Sequence, residues 1–104
     1  MIRHKFNAVP TTSDGIRFSS RKEEQYYQNL KLLKLGGVVL FWLRQVPFHL
    51  TEGIKPVRYI CDFEVFYADG HVEFTEVKGF ETQTWKLKRR LMAEKFPMVK
   101  IQIV

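Results

Sequence analysis

Helical and strand-like spacings of apolar residues divide most of the chain into elements. A helix is predicted over 21–35, because Ser20 and Glu23 form a capping box before it and a pair of glycines follows it. Its apolar stripe consists of Tyr26, Tyr27, Leu30 and Leu33. Glu23 falls in the middle of this stripe, where it either only completes the cap or points a carboxylate across the core-facing side toward a cation.

Strands and a second helix are predicted after this helix. The apolar run Val38–Leu43, continued by Gln45–Leu50, predicts a buried strand or strand pair, and a loop follows over 51–57. Two strands, 59–68 and 72–78, flank the turn signal Asp69-Gly70. The remaining elements are a helix over 84–96, which ends before Pro97, and a short strand over 99–104. This α-β-β-β-α-β order predicts an α/β (α+β) fold with helices on a mixed sheet.

Composition favours an anionic partner. The chain has 104 residues, enough for one domain, and its 17 Lys and Arg against 11 Asp and Glu give a net charge of +6. A surplus of this size points first to nucleic acid. The single Cys61 excludes an intramolecular disulfide, and neither a signal peptide nor a membrane-spanning run is predicted. Residues 1–17 are predicted to be an arm or edge strand before a domain over 18–104, and the basic residues of the arm are Arg3, Lys5 and Arg17.

Three charged residues lie in strands that should be partly buried: Asp62, Glu76 and Lys78. Buried charges cost several kcal/mol unless they are paired or bind an ion. An acid followed two residues later by a lysine, as in Glu76-x-Lys78, is common by chance. Its position here favours a functional role, because it lies at a strand end, next to a strand that has a second acid, and just before a helix. Phosphodiester hydrolysis needs a divalent cation, for which Asp62 and Glu76 are suitable hard ligands, and a lysine that orients the attacking water. Glu23 could supply a further carboxylate.

This chemistry depends on the hairpin register. Glu76 and Lys78 share one strand face, and Asp62 joins them only if the hairpin loop has an odd number of residues. We expect the three-residue loop Asp69-Gly70-His71. The resulting cross-strand pairs would be Ala68 with Val72, Phe66 with Phe74, and Glu64 with Glu76.

From about Phe18 to Val104, the chain resembles the PD-(D/E)XK nuclease superfamily, most closely a small bacteriophage-encoded branch. Four motifs carry the resemblance: Ser20-x-x-Glu23, Ile60-Cys61-Asp62-Phe63, Glu76-Val77-Lys78-Gly79 and Trp85-Lys86-Leu87-Lys88. One departure is Cys61, which stands where the superfamily motif has proline. The resemblance implies a restriction-endonuclease-like core and a Mg²⁺-dependent deoxyribonuclease, with Mn²⁺ expected to substitute. It implies Asp62, Glu76, the Val77 carbonyl and Glu23 as metal ligands, and a cytoplasmic location in a bacterial host.

The second predicted helix is strongly basic. A basic run is often only a solvated face, but directly after a nuclease motif we expect Lys86, Lys88, Arg89 and Arg90 to hold the DNA backbone. Lys88 falls inside the apolar arc of this helix, so its ammonium either reaches the active-site phosphate or lies at the rim. Gln45 resembles a polar position near the active site of relatives, and its alternative is a satisfied amide at a strand end.

The sequence therefore predicts a metal-dependent DNA endonuclease that is structure-selective or only weakly sequence-selective, because so small a chain leaves little room for base readout. Phage DNA replication, recombination or processing would be its setting. A homodimer would supply one active site for each DNA strand. The alternative is a non-catalytic DNA-binding accessory protein on the same fold. A basic amphipathic helix that docks on a membrane or a partner protein is a poor third, and no membrane partner is expected.

Overall fold

The computed structural model describes residues 9–79 and 81–104 and contains two helices and six strands in this part of the chain. The elements are β1 (Thr11–Ser13), β2 (Ile16–Phe18), α1 (Arg21–Leu35), β3 (Val39–His49), β4 (Arg58–Tyr67), β5 (Val72–Glu76), α2 (Gln83–Lys95) and β6 (Ile101–Ile103). No helix in the described ranges is long and apolar enough to cross a membrane.

The main sheet has four strands in the order β3-β4-β5-β6. The first three strands are antiparallel neighbours, whereas β6 returns through α2 and runs parallel to β5. From α1 onward, the element order is α-β-β-β-α-β, so the predicted mixed α and β architecture is confirmed. The pair β1-β2 forms a separate small sheet before it.

This small sheet is a hairpin packed on α1. Asp14 and Gly15 form its turn, both with positive φ. The Tyr27 hydroxyl donates a 2.7 Å hydrogen bond to Asp14, and Phe18 at the end of β2 is completely buried. Residues 11–18 therefore form a strand pair that packs against α1. The predicted phosphate contacts of Arg3 and Lys5 lie outside the described residues.

Helix α1 begins at the residue that the capping box predicts. The Ser20 side chain accepts a hydrogen bond from the Glu23 N–H at 3.1 Å. Its buried face consists of Glu23, Tyr27 and Leu30, so the predicted position of Glu23 inside the stripe is confirmed. Leu33 was expected on this face but is 37% exposed and does not belong to the buried residues of α1.

The prediction of a buried strand at Val38–Leu43 is wrong. Residues 39–49 form one continuous strand, β3, at the edge of the sheet, and Val38, Leu40, Phe41 and Leu43 are 45–54% exposed. A long apolar run is typical of a strand covered on both faces, whereas β3 has its inward side chains packed and its other side chains open to solvent. Only Val39 in this run is fully buried.

The hairpin between β4 and β5 has the predicted parity but not the predicted pairs. Phe66 lies opposite Val72 and Glu64 opposite Phe74, so the expected pairs of Ala68 with Val72, Phe66 with Phe74 and Glu64 with Glu76 are wrong. The pairing is shifted by two residues, because Tyr67 and His71 close the turn with a backbone hydrogen bond. A register shift of two residues keeps every side chain on the same face of the sheet. The pairing ends at Phe63 with Thr75, and the next pair in the same register would be Asp62 with Glu76.

Two apolar clusters make up the core, and β4 contributes to both. Phe63 and Val65 pack with Tyr27 and Leu30 of α1 in the first cluster. The second cluster lies against α2 and consists of Leu50, Tyr59, Cys61, Trp85 and Met92. In β4, Asp62 stands between the residues that belong to the two clusters.

Candidate active site

Asp62, in the middle of β4, lies beside Glu76, which ends β5. Asp62 Oδ2 accepts a 2.9 Å hydrogen bond from the backbone N–H of Val77, the residue that follows β5. Glu76, the last residue of β5, is 6% exposed, and its negative charge contributes to the raised pKa of Asp62. The hairpin thus brings together the two acids that the sequence predicted as a pair.

Tyr59 holds the carboxylate of Glu76. Its hydroxyl donates a 2.5 Å hydrogen bond to Glu76 Oε1, and its side chain is 3% exposed within the second core cluster. Burial, followed by this hydrogen bond, raises the pKa of the Tyr59 hydroxyl, which therefore stays a donor. Tyr59 was not predicted as a site residue, because an aromatic near the start of a strand has the pattern of an ordinary core residue.

Glu23 reaches the same cluster from α1. Its Oε1 accepts hydrogen bonds from both the N–H and the hydroxyl of Ser19, each at 3.0 Å. Its Oε2 accepts a 3.3 Å hydrogen bond from the Gln45 side chain. Because Glu23 is 2% exposed, it does more than complete the helix cap: the carboxylate points through the core-facing side of α1 toward the acids of the sheet.

Gln45 bridges two of these carboxylates. Its Nε2 donates to Glu23 Oε2 and, at 3.4 Å, to Asp62 Oδ1. The backbone of Gln45 has φ 53° in the middle of β3, a left-handed conformation that costs a non-glycine residue of order 1–3 kcal/mol. Gln45 was predicted as a DNA-binding residue or a satisfied strand amide, and the structure places its amide on the acids.

The cluster is short of positive charge. Burial, followed by the charge of Glu76 and a hydrogen bond to it, raises the pKa of Asp62 to about 7. Burial also raises the pKa of Glu23, with a smaller contribution from the charge of Asp62. Within the described ranges, no lysine, arginine or histidine forms an ion pair with Glu23, Asp62 or Glu76. An added proton or an external cation would therefore stabilise these acids.

Lys78 and Lys88 approach the cluster from the other side of Glu76. A cavity of about 280 Å³ is lined by both lysines together with Tyr59, Glu76 and Trp85, but not by Asp62. The Lys78 ammonium lies 5.1 Å from the centre of the Trp85 ring, which holds it without neutralising it. Lys88, which lies inside the apolar arc of α2, is half-buried and lines this cavity.

The other predicted DNA-binding residues of α2 lie outside this cavity. Lys86 and Arg90 are exposed, and Arg89 is an exposed residue whose guanidinium lies 5.5 Å from the centre of the Trp85 ring. Leu87 was expected on the buried side of α2 but is 47% exposed.

Comparison with known families gives one result. The family described as protein of unknown function (DUF1064) matches residues 3–104. The chain belongs to this family. Comparison with curated proteins and with solved structures gives no match. The DUF1064 description assigns no activity, so the resemblance to PD-(D/E)XK nucleases stays a prediction.

The donor set of this DUF1064 chain suits one kind of metal site. In the described part of the chain, no three His, Cys, Asp or Glu side chains are grouped so that they could share a metal ion. Asp62 and Glu76 provide two adjacent carboxylates, and the backbone carbonyl of Val77 follows Glu76 in the chain. Mg²⁺ usually takes one or two carboxylates and completes its shell with water and substrate oxygens. The residues therefore fit Mg²⁺ in this form, with Glu23 in an outer position.

Proposed function

We propose that this protein is a Mg²⁺-dependent nuclease that hydrolyses phosphodiester bonds in DNA. The proposal rests on one observation: two adjacent, mostly buried carboxylates, Asp62 and Glu76, have no cationic partner among the described residues. A cation that binds there would relieve the electrostatic cost of burying them. The lysines in the cavity beyond Glu76 and the net charge of +6 both favour a polyanionic substrate.

In this proposal the residues have separate roles. Asp62, Glu76 and the Val77 carbonyl hold Mg²⁺, which would neutralise phosphate charge and lower the pKa of a bound water. Lys78 orients the attacking water and stabilises the negative charge that develops on the phosphate as the ester P–O bond breaks. Glu23 and Gln45 fix the orientation of Asp62, and Lys88 binds the phosphate. The reaction would take place in the cytoplasm of the host cell. A homodimer stays a prediction.

The test is cleavage of plasmid and branched DNA with Mg²⁺, with Mn²⁺ and with EDTA. We expect cleavage with either metal and none in EDTA, and we expect Asp62→Asn and Lys78→Met each to lose it. Glu64→Gln is the matched control, because Glu64 lies on β4 two residues beyond Asp62 and pairs with Phe74 instead of an acid. Cleavage that survives Asp62→Asn would contradict the assigned mechanism.

A non-catalytic DNA-binding protein is the second candidate. It is favoured by the exposed basic residues of α2 that lie outside the cavity at Glu76, which are Lys86, Arg89 and Arg90. In that case, the wild type would bind DNA with the usual dependence on salt, and no metal would induce cleavage. The acids would then form only a structural network, and Asp62→Asn would leave DNA binding unchanged.

A further inference from the structure

A second groove adjoins the candidate active site. It has a volume of about 590 Å³, within the range of roughly 300–1,000 Å³ that is typical of ligand sites. It lies between α2 and the residues that lead into β4. Three of its lining residues also line the cavity at Glu76: Ile60, Thr84 and Lys88. The two spaces are therefore neighbours, and Lys88 stands at the boundary between them.

The lining of this groove is apolar with basic ends. Its apolar part includes Val57, Ile60 and Leu87, each of which is exposed by more than a third, and Leu91. Arg58 and Lys88 supply the charge, and no acidic side chain in the described ranges lines the groove. Exposed apolar side chains gathered in one place indicate a surface that another molecule covers. Positive charge beside them favours a ligand that has both an apolar face and an anionic group.

A nucleotide of a DNA strand meets both requirements. We propose that the groove holds one unpaired base of the strand whose phosphate lies beside Glu76 and Lys78. This inference rests on the proposed function and adds a substrate class to it: DNA with unpaired nucleotides next to the cleavage site, such as a flap, a tail or a branch. The base packs on Ile60 and Leu87, while Lys88 and Arg58 contact the phosphates on either side of it.

The base must already be unpaired, because removing it from a duplex costs a few kcal/mol of stacking and pairing. The groove has no carboxylate or amide side chain to read the edge of the base, since its named polar groups are two cations and the Thr84 hydroxyl. Recognition through the flat face of a base tolerates any sequence. The groove would thus select DNA by structure and not by sequence.

Binding in EDTA tests this inference without any need for catalysis. Two probes are compared: a blunt DNA duplex, and the same duplex with a short single-stranded tail at each end. Fluorescence anisotropy measures the dissociation constant of the protein for each probe. We expect wild type to prefer the tailed duplex. Leu87→Gln should lose at least about fivefold in affinity for the tailed duplex and leave the blunt duplex unaffected, because the base covers the apolar side chain of Leu87 and a polar replacement loses that burial.

Leu32→Gln is the matched control, since it makes the same change at an exposed position of α1 outside the groove. It should bind both probes as wild type does. Circular dichroism and thermal unfolding show whether each variant is folded. If a folded Leu87→Gln weakens both probes equally or neither of them, the groove does not hold a base.

The two proposals fail in different ways. If wild type cleaves no DNA with Mg²⁺ or Mn²⁺, the nuclease proposal is lost, but a tail preference that depends on Leu87 still supports the base groove. If cleavage occurs and wild type binds both probes equally, the nuclease proposal stands and the groove inference is overturned. Arg58→Gln adds a second measurement. It should lower the slope of log affinity against log salt for the tailed probe by about 0.7, the value for one single-strand phosphate contact.

Discussion

The hydroxyl of Tyr59 is hydrogen-bonded to Oε1 of Glu76 at 2.5 Å, so a core residue at the start of β4 holds a carboxylate at the end of β5. We expect Tyr59→Phe to destabilise the fold by about 1–3 kcal/mol, because a nearly buried carboxylate loses a donor. The variant should also need a higher Mg²⁺ concentration for half-maximal cleavage, because Glu76 loses its fixed orientation. Denaturant titration and a Mg²⁺ titration of the cleavage rate measure the two effects.

Tyr67→Phe provides the comparison for this change. Tyr67 lies on the same strand and makes a similar hydrogen bond, 2.6 Å long, to Glu73, which lies outside the acid cluster. The Tyr67→Phe variant should be less stable than wild type but should need the same Mg²⁺ concentration for half-maximal cleavage. If both variants shift the Mg²⁺ requirement alike, Tyr59 acts through general stability and not through Glu76.

The pair of Asp62 and Glu76 was accessible from sequence, whereas their immediate partners were not. A charge inside an apolar strand can be recognised from the sequence. A register error of two residues leaves every side chain on the same face of the sheet, so Asp62 and Glu76 were correctly placed on one face although the predicted cross-strand pairs were wrong. Tyr59 and the bridging role of Gln45 depend on contacts between strands and on a left-handed backbone, which no periodicity records. The exposure of β3 was missed because hydrophobicity does not distinguish an edge strand from a central one.

The raised pKa of Asp62 gives stability a dependence on pH. In the folded protein Asp62 keeps its proton up to about pH 7, whereas the ordinary aspartate pKa is 3.8, so folding takes up a proton between these values. Stability from this group is therefore greatest at low pH and falls as the pH rises toward 7. The slope is at most about 1.4 kcal/mol per pH unit. Glu23 contributes in the same direction.

Denaturant unfolding in EDTA across this range checks the sign. Compared with wild type, Asp62→Asn should gain relative stability as the pH rises toward 7, because it has no carboxyl group to deprotonate. Asp69→Asn is the opposite control, since hydrogen bonds from His71 lower the pKa of Asp69 and its contribution is lost at low pH. Added Mg²⁺ should stabilise wild type above pH 7 and not Asp62→Asn. Identical pH profiles for wild type and Asp62→Asn would refute the coupling.

The strained backbone of Gln45 allows its conformation to be separated from its amide. Gln45→Ala and Gln45→Gly both remove the side-chain bridge to Glu23 and Asp62, but only glycine adopts a φ of 53° without strain. We expect Gln45→Gly to be more stable than Gln45→Ala by about 1 kcal/mol, and cleavage to fall at least about tenfold and equally in both. Thermal unfolding and single-turnover rates measure these quantities. Full activity in Gln45→Gly would show that the amide has no positioning role.

Lys88 and Lys86 are two residues apart on α2 but differ in their surroundings. Lys88 lines the cavity that contains Glu76, whereas Lys86 is exposed and lies outside it. Lys88→Gln should therefore reduce the single-turnover rate as well as affinity, because its ammonium acts on a phosphate next to the reaction centre. If Lys86 contacts one phosphate, Lys86→Gln should lower the slope of log affinity against log salt for duplex binding by about 0.9 and leave the cleavage rate unchanged. If Lys86 is only solvated, the variant should behave as wild type does. Equal losses of rate in the two variants would mean that α2 acts on DNA only through its overall charge, and Lys88 would then have no role in the active site.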